Sequence, residues 1–132
     1  MNNPARIAAL ILGLLAIILG AFGAHALQKV LTPAALSSFE TGVRYQFYMA
    51  FFLLYLGLEH QFSAKRSRII FWLTLSGTIL FSGSIYLLVL LPLAGLSFKM
   101  FGLLTPIGGT LLIAAWLVAL MHFFSKQKSE VG

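Results

Sequence analysis

At 132 residues the chain has the length of one domain, yet 60% of it is hydrophobic, only 9% is charged, and its mean hydropathy is +0.97. A soluble domain of this size cannot bury so much apolar surface. The formal charge of +6 falls in short Lys and Arg clusters between long apolar runs, a pattern of membrane topology and not of a nucleic-acid face, and the absence of cysteine excludes disulfides, thiolate nucleophiles and cysteine-ligated metals.

The first run, residues 5–27, opens after Asn3 and Pro4, an N-cap candidate and a first-turn proline. A helix rises about 1.5 Å per residue, so about 20 residues cross the ~30 Å hydrocarbon layer, and this run suffices. A rival reading takes Arg6, the apolar stretch and Ala24-His25-Ala26 as a cleavable signal peptide, which would leave three spans; the run is long for that purpose. The second run, 39–62, follows Thr32-Pro33, a surface turn or helical lead-in, and Ser37 to Glu40 has capping-box spacing. After a basic hinge holding Lys65, Arg66 and Arg68, the third run covers 69–91 and stops at Pro92 and Gly95. The fourth, 99–124, carries Pro106, which should free the carbonyl near Gly102 and kink the helix. Short connections make sequential helices antiparallel neighbours. The expected fold is therefore an all-α membrane protein, a single four-transmembrane-helix antiparallel bundle over 1–132.

Orientation follows from the cations beside each end. Arg6, Lys65, Arg66, Arg68, Lys126 and Lys128 face Lys29 and Lys99, six against two, which predicts a multi-pass protein with both termini in the cytoplasm.

Ala5, Ala9, Gly13, Ala16, Gly20 and Ala24 form one narrow stripe on the first span, a surface for close helix packing or for a homo-oligomer seam. The second span carries Thr41, Tyr45, Tyr48, Phe52, Tyr55 and Glu59 on one face. Its three phenols should turn inward, since each buried hydroxyl wants a partner; the alternative is a lined pocket or polar path. Ser76, Gly77, Ser82, Gly83 and Ser84 in the third span, and Gly102, Thr105, Pro106, Gly108 and Gly109 in the fourth, combine small size with hydroxyl donors.

Antiparallel order puts His25, Glu40, Arg44, Tyr45, Gln46, Ser82, Ser84, Thr105 and Pro106 in the outer half. Intramembrane ionisable groups are costly and default to functional candidates. Glu40 and Arg44, four residues apart, should pair with each other.

Reactive chemistry is sparse. His60 and His122 share a depth, but both lie beside basic residues near the interface, which argues against haem. There is no Asp and no HExxH, and Glu40, Glu59 and Glu130 sit at different depths; Glu59 is expected to pair with Lys65 or Arg66. No phosphate loop or nucleophile elbow occurs. The expectation is a protein that is not an enzyme, with no cofactor, no metal and no nucleic-acid partner.

Four strings recur together: Leu19-Gly20-Ala21-Phe22-Gly23-Ala24-His25, Thr41-Gly42-Val43-Arg44-Tyr45-Gln46, Phe81-Ser82-Gly83-Ser84-Ile85-Tyr86, and Thr105-Pro106-Ile107-Gly108-Gly109. In this order and spacing the chain resembles a small bacterial membrane family, domain of unknown function 423, related to eukaryotic transmembrane protein 256. The resemblance implies four helices in the inner membrane and no established reaction. Members often carry a histidine where this chain has Met49, so no shared buried-histidine chemistry is implied here, and Arg44 varies.

The strings coincide with the outer-half polar cluster. They nominate His25, Thr41, Arg44, Tyr45, Gln46, Tyr48, Ser82, Ser84, Tyr86 and Thr105 as one binding or structural centre, with His25 donating to the second or third span. Ala9, Gly13, Ala16, Gly20, Ala24, Gly83, Pro106 and Gly109 are the expected packing residues. The functional expectation is a structural or accessory protein that supports the envelope or a membrane complex, with the bilayer and either its own copies or other membrane proteins as partners. The alternative is a homo-oligomeric transporter or channel for a solute, a proton or a lipid.

Overall fold

A computed structural model describes residues 3–131, with side chains through Ser129; the side chain of Glu130 lies outside the described residues. Helix α1 spans Asn3–Ala24 and α2 spans Pro33–Leu58. The third run is α3, Ala64–Thr78, a π turn at Ile79–Gly83, and α4, Ser84–Leu90. After two short 3-10 turns, Leu91–Ala94 and Lys99–Leu103, α5 runs over Leu104–Val131.

Helix ends follow local chemistry. Thr32 caps α2, its hydroxyl accepting from the Ala35 N–H at 3.1 Å, with Pro33 in the first turn. Ser37 and Glu40, expected as a capping box, therefore lie inside a helix already started. Ser63 caps α3 by accepting from Arg66 N–H at 3.1 Å. Gly95 stops the third run as expected: its φ of 77° is left-handed, and Leu96 N–H reaches back to Leu91 C=O at 3.0 Å. The kink expected at Pro106 is not where the chain bends. Pro106 occupies the first turn of α5, where its missing N–H has no intrahelical acceptor to lose, and the irregular backbone falls earlier, at Lys99–Leu103.

Among the described residues, three stretches are long and apolar enough to cross a membrane: Asn3–Lys29, Ala64–Ala94 and Lys99–Ser129. Most of each is exposed on the outside of the bundle. Helix α2 matches them in length but carries Glu40, Arg44, Gln46, Tyr45, Tyr48 and Tyr55, so its composition falls short of theirs. It lies at the centre, packed on α1, α3 and α4, while α5 packs on α3 and the π turn. The run whose composition falls short of a membrane span is thus the one packed against the most neighbours.

Two apolar clusters fill the interior. One gathers Ala9, Leu12, Leu53, Leu56, Ile70 and Ala115, the other Ala16, Phe39, Val43 and Val89. Small residues set the approach of α1 to α2: Ala5, Ala9 and Ala16 are buried, a Cβ on Gly13 would reach Ala50 at 3.9 Å, and one on Gly20 would reach Val43 at 3.6 Å. Ala24 is exposed at the end of the stripe, and Gly23, against the Phe39 ring, takes its place. These contacts seat one stripe of α1 against α2 and leave its other faces outward.

At one end of the bundle Arg6 Nε donates to the Gly57 carbonyl at 3.0 Å and Lys126 Nζ donates to Gln61 Oε1. The start of α1, the α2–α3 connection and the C-terminal part of α5 therefore share that end.

Candidate functional site

A buried polar seam joins α2 to α1 and to the third run. Gln46, 4% exposed, donates from Nε2 to the Leu12 carbonyl at 2.8 Å, and its Oε1 accepts from the Tyr86 hydroxyl at 2.7 Å. One amide thus bridges three helices, using a donor and an acceptor where lipid supplies neither. One turn earlier on α2, the Gly42 carbonyl accepts from Ser82 Oγ at 2.7 Å, and a Cβ on Gly42 would stand 2.8 Å from the Tyr86 ring. Glycine there lets the phenol lie flat against the α2 backbone and reach Gln46.

The π turn directs this seam. An extra residue in the turn rotates the side chains that follow it, and Ser82 faces α2 while Ser84 faces the start of α5. Ser84 Oγ donates to Phe81 C=O at 3.0 Å and contacts Thr105 Oγ1 at 2.5 Å. Each hydroxyl has one proton, so Thr105 is the donor in that second contact. Sequence reasoning missed the turn; the only trace of it was the small-residue string Ser82-Gly83-Ser84.

Gln46, Ser82 and Tyr86 are therefore brought together on α2, Ser84 and Thr105 form a separate pair at the start of α5, and the remaining nominated residues join neither. His25 is exposed beyond α1, and among the described residues its imidazole makes no hydrogen bond, so the expected donation to the second or third span is absent. Thr41 donates to Ser37 C=O at 3.1 Å within its own helix. Arg44 turns to Thr41 Oγ1 at 3.5 Å and makes no ion pair with Glu40, an exposed neighbour whose pairing water competes for.

The phenol stripe is a further correction. Tyr45, Tyr48 and Tyr55 are 41%, 48% and 39% exposed. At 100° per residue the buried face, centred on Gln46 and Leu53, is offset from theirs by about 140°. Tyr45 and Tyr48 instead stack edge-on at 5.4 Å, and Tyr45 meets Phe81 at 5.0 Å. With Trp116 and Leu117 of α5 they line an outward-facing apolar groove of about 890 Å³. The packing glycines also differ from expectation. Gly83 has open space around it, whereas Gly77 and Gly108 meet at the α3–α5 crossing.

Glu59 ends α2, and its carboxylate accepts from the His60 and Gln61 N–H groups, each at 3.0 Å, and from the Tyr55 hydroxyl at 3.3 Å. The Gln61 N–H, foremost, holds this carboxyl below the usual carboxylate range. Among the described residues no three His, Asp or Glu gather to hold a metal ion, and His122 stacks against Phe62 and Phe123 with its Nε2 buried and unbonded.

Because His25 is exposed, His25→Phe is expected to shift unfolding free energy by less than about 0.5 kcal/mol. An SDS-unfolding titration of the detergent-solubilised chain checks this, and a larger loss would place His25 in a contact the bundle lacks.

Apolar outer faces on three membrane-length helices, closed over an internal polar seam, define a multi-pass helical membrane protein. The chain belongs to the family described as protein of unknown function DUF423, whose model matches residues 19–109. It is 38% identical over 105 residues to UPF0382 membrane protein SAB0533 of Staphylococcus aureus (strain bovine RF122 / ET3-1), covering 80% of this chain and 82% of that one. It is also 35% identical over 127 residues to UPF0382 inner membrane protein YgdD of Escherichia coli (strain K12), covering 94% and 92%. No solved structure matches it. The chain is accordingly a multi-pass protein of the inner membrane.

Proposed function

We propose that this chain is a non-enzymatic, four-span bundle with both termini in the cytoplasm, and that it serves as an accessory subunit of a membrane complex. The carrying observation is a division of labour among its polar groups. Gln46, Ser82, Ser84, Tyr86 and Thr105, which face inward, each bond across to another helix. The hydroxyls of Tyr45 and Tyr48, among the described residues, bond to nothing, and the two residues lie about 18 and 22 Å along α2 from its start, near the middle of the helix. A phenol at that depth needs an acceptor that lipid tails do not offer. A neighbouring helix seated in the α2–α5 groove would supply one and cover the exposed Trp116.

Native mass spectrometry of the chain gently extracted from its own membrane tests this. A stoichiometric hetero-complex is expected, with Tyr48→Phe weakening it and leaving the fold intact. A clean monomer indifferent to Tyr48→Phe would overturn the accessory reading. The transport alternative needs several copies, since the phenol stripe lies on an outer face; flux into liposomes above that of empty vesicles would favour it. Topology is read separately. The chain has no cysteine, so in intact cells single cysteines at Lys65 and Ser129 should resist an impermeant maleimide while one at Lys99 reacts.

A further inference from the structure

The end of the bundle that holds Arg6 and the α2–α3 connection contains a cleft of about 770 Å³, bounded by the start of α1, the end of α2 and the first three turns of α3. Its wall changes character from one side to the other. Arg6, Ser67 and Arg68 supply cationic and hydroxyl donors, while Trp72, 58% exposed, supplies an apolar face with an indole N–H. Arg6 uses Nε on the Gly57 carbonyl, and this anchors the side chain while leaving its two terminal nitrogens to the cleft. Ser63 has already capped the N-terminus of α3 beside it, so the helix dipole adds positive potential at the same place.

The chain has three Glu and no Asp, and among the described residues Glu59 is the one carboxylate that lines the cleft. Its oxygens accept from the two N–H groups that follow it and from Tyr55, so part of its charge is already satisfied within its own segment. The cleft therefore keeps a cationic surplus. A group that matches it carries a negative head for the guanidinium groups and an apolar body for Trp72.

We propose that this cleft binds an anionic phospholipid, its phosphate held between Arg6 and Arg68 and its glycerol and acyl region against Trp72. Basic pockets between membrane helices on the cytoplasmic side favour such headgroups, and planar guanidinium forks bind phosphate oxygens bidentately. The site rests on the proposed topology only for which leaflet provides the lipid. Binding in detergent does not depend on orientation, and cysteine labelling does not depend on the cleft, so the two readings fail separately.

The test is native mass spectrometry of the full chain in detergent, titrated with phosphatidylglycerol, with phosphatidylcholine of the same acyl chains, and with inorganic phosphate as competitor. One phosphatidylglycerol per chain should be retained in preference to phosphatidylcholine. Arg6 carries a fold contact, so the exposed Arg68 is the residue to vary. Arg68→Gln should weaken retention about fivefold, Arg68→Lys should recover part of it, and Lys128→Gln, on α5, should leave it unchanged. Equal retention of the two lipids, or equal loss in Arg68→Gln and Lys128→Gln, would overturn the site. Displacement of the lipid by an equal concentration of inorganic phosphate would make it an anion site with no lipid component, which also overturns the proposal.

Discussion

Gly108→Val is expected to abolish the folded bundle, the largest effect of any single substitution considered. A Cβ at this position would stand 2.4 Å from the Phe81 nitrogen, 2.8 Å from the Gly77 carbonyl oxygen and 2.9 Å from the Leu80 carbonyl carbon. All three are backbone atoms of packed helical segments, and no side-chain rotation relieves them. Overpacking a filled interior costs about 1–3 kcal/mol, and more where backbones must separate. Gly108→Ala should therefore lose at least that much, and the two further methyls of valine should part α5 from the π turn. An SDS-unfolding titration reads both. Gly83→Ala is the control: its Cβ meets nothing within 4 Å, so it should stay within about 1 kcal/mol of the parent. Equal losses at Gly83 and Gly108 would mean that close approach at this crossing does not hold the bundle together.

The second large effect is expected at Gln46→Leu. The substitution deletes both bridges of the amide and leaves the Tyr86 hydroxyl without its acceptor. Hydrogen bonds between membrane helices average only about 0.6 kcal/mol. A buried group left unsatisfied adds about 1–3 kcal/mol, so the orphaned phenol, and not the lost bonds, dominates the cost. Tyr86→Phe removes the donor instead and orphans the buried Gln46 Oε1, so it should also cost about 1–3 kcal/mol. In the double variant the orphan is gone, and the loss should be smaller than the sum of the two singles, a coupling within the range of about 0.5–3 kcal/mol seen for residues in contact. Strict additivity would show that the Gln46–Tyr86 contact does not couple α2 to the third run.

Both positions were within reach of sequence reasoning, but in different ways. Gln46 and Tyr86 stood in the strings that carried the family resemblance, yet nothing local marked Gln46 as the polar centre. The tyrosine stripe gave the stronger periodic signal and pointed to a neighbouring face. Periodicity finds residues that share a side of a helix; which side turns inward depends on the helices that cover it. Gly108 was singled out only as one small residue among several, and Gly83 was ranked above it as a packing residue. A glycine's role depends on what lies opposite, and the Phe81 and Gly77 backbones come near Gly108 only when α3 and α5 cross.

What the sequence determined by itself were the properties set by composition and short-range chemistry. Apolar length and cation clusters define a membrane-embedded helical chain, Pro92 and Gly95 end its third run, and the spacing of Ala9, Gly13, Ala16 and Gly20 fits α1 closely to α2. Tertiary structure alone decided the arrangement of polar groups. The π turn aims Ser82 and Ser84 at different helices, Gln46 joins α1 to the third run, and the phenols of Tyr45 and Tyr48 remain on an outer groove. The physical reason is that burial and hydrogen-bond satisfaction belong to pairs of helices. A polar side chain in a bilayer settles where a partner can be found, and that partner lies on another element at a distance along the chain that no local pattern encodes.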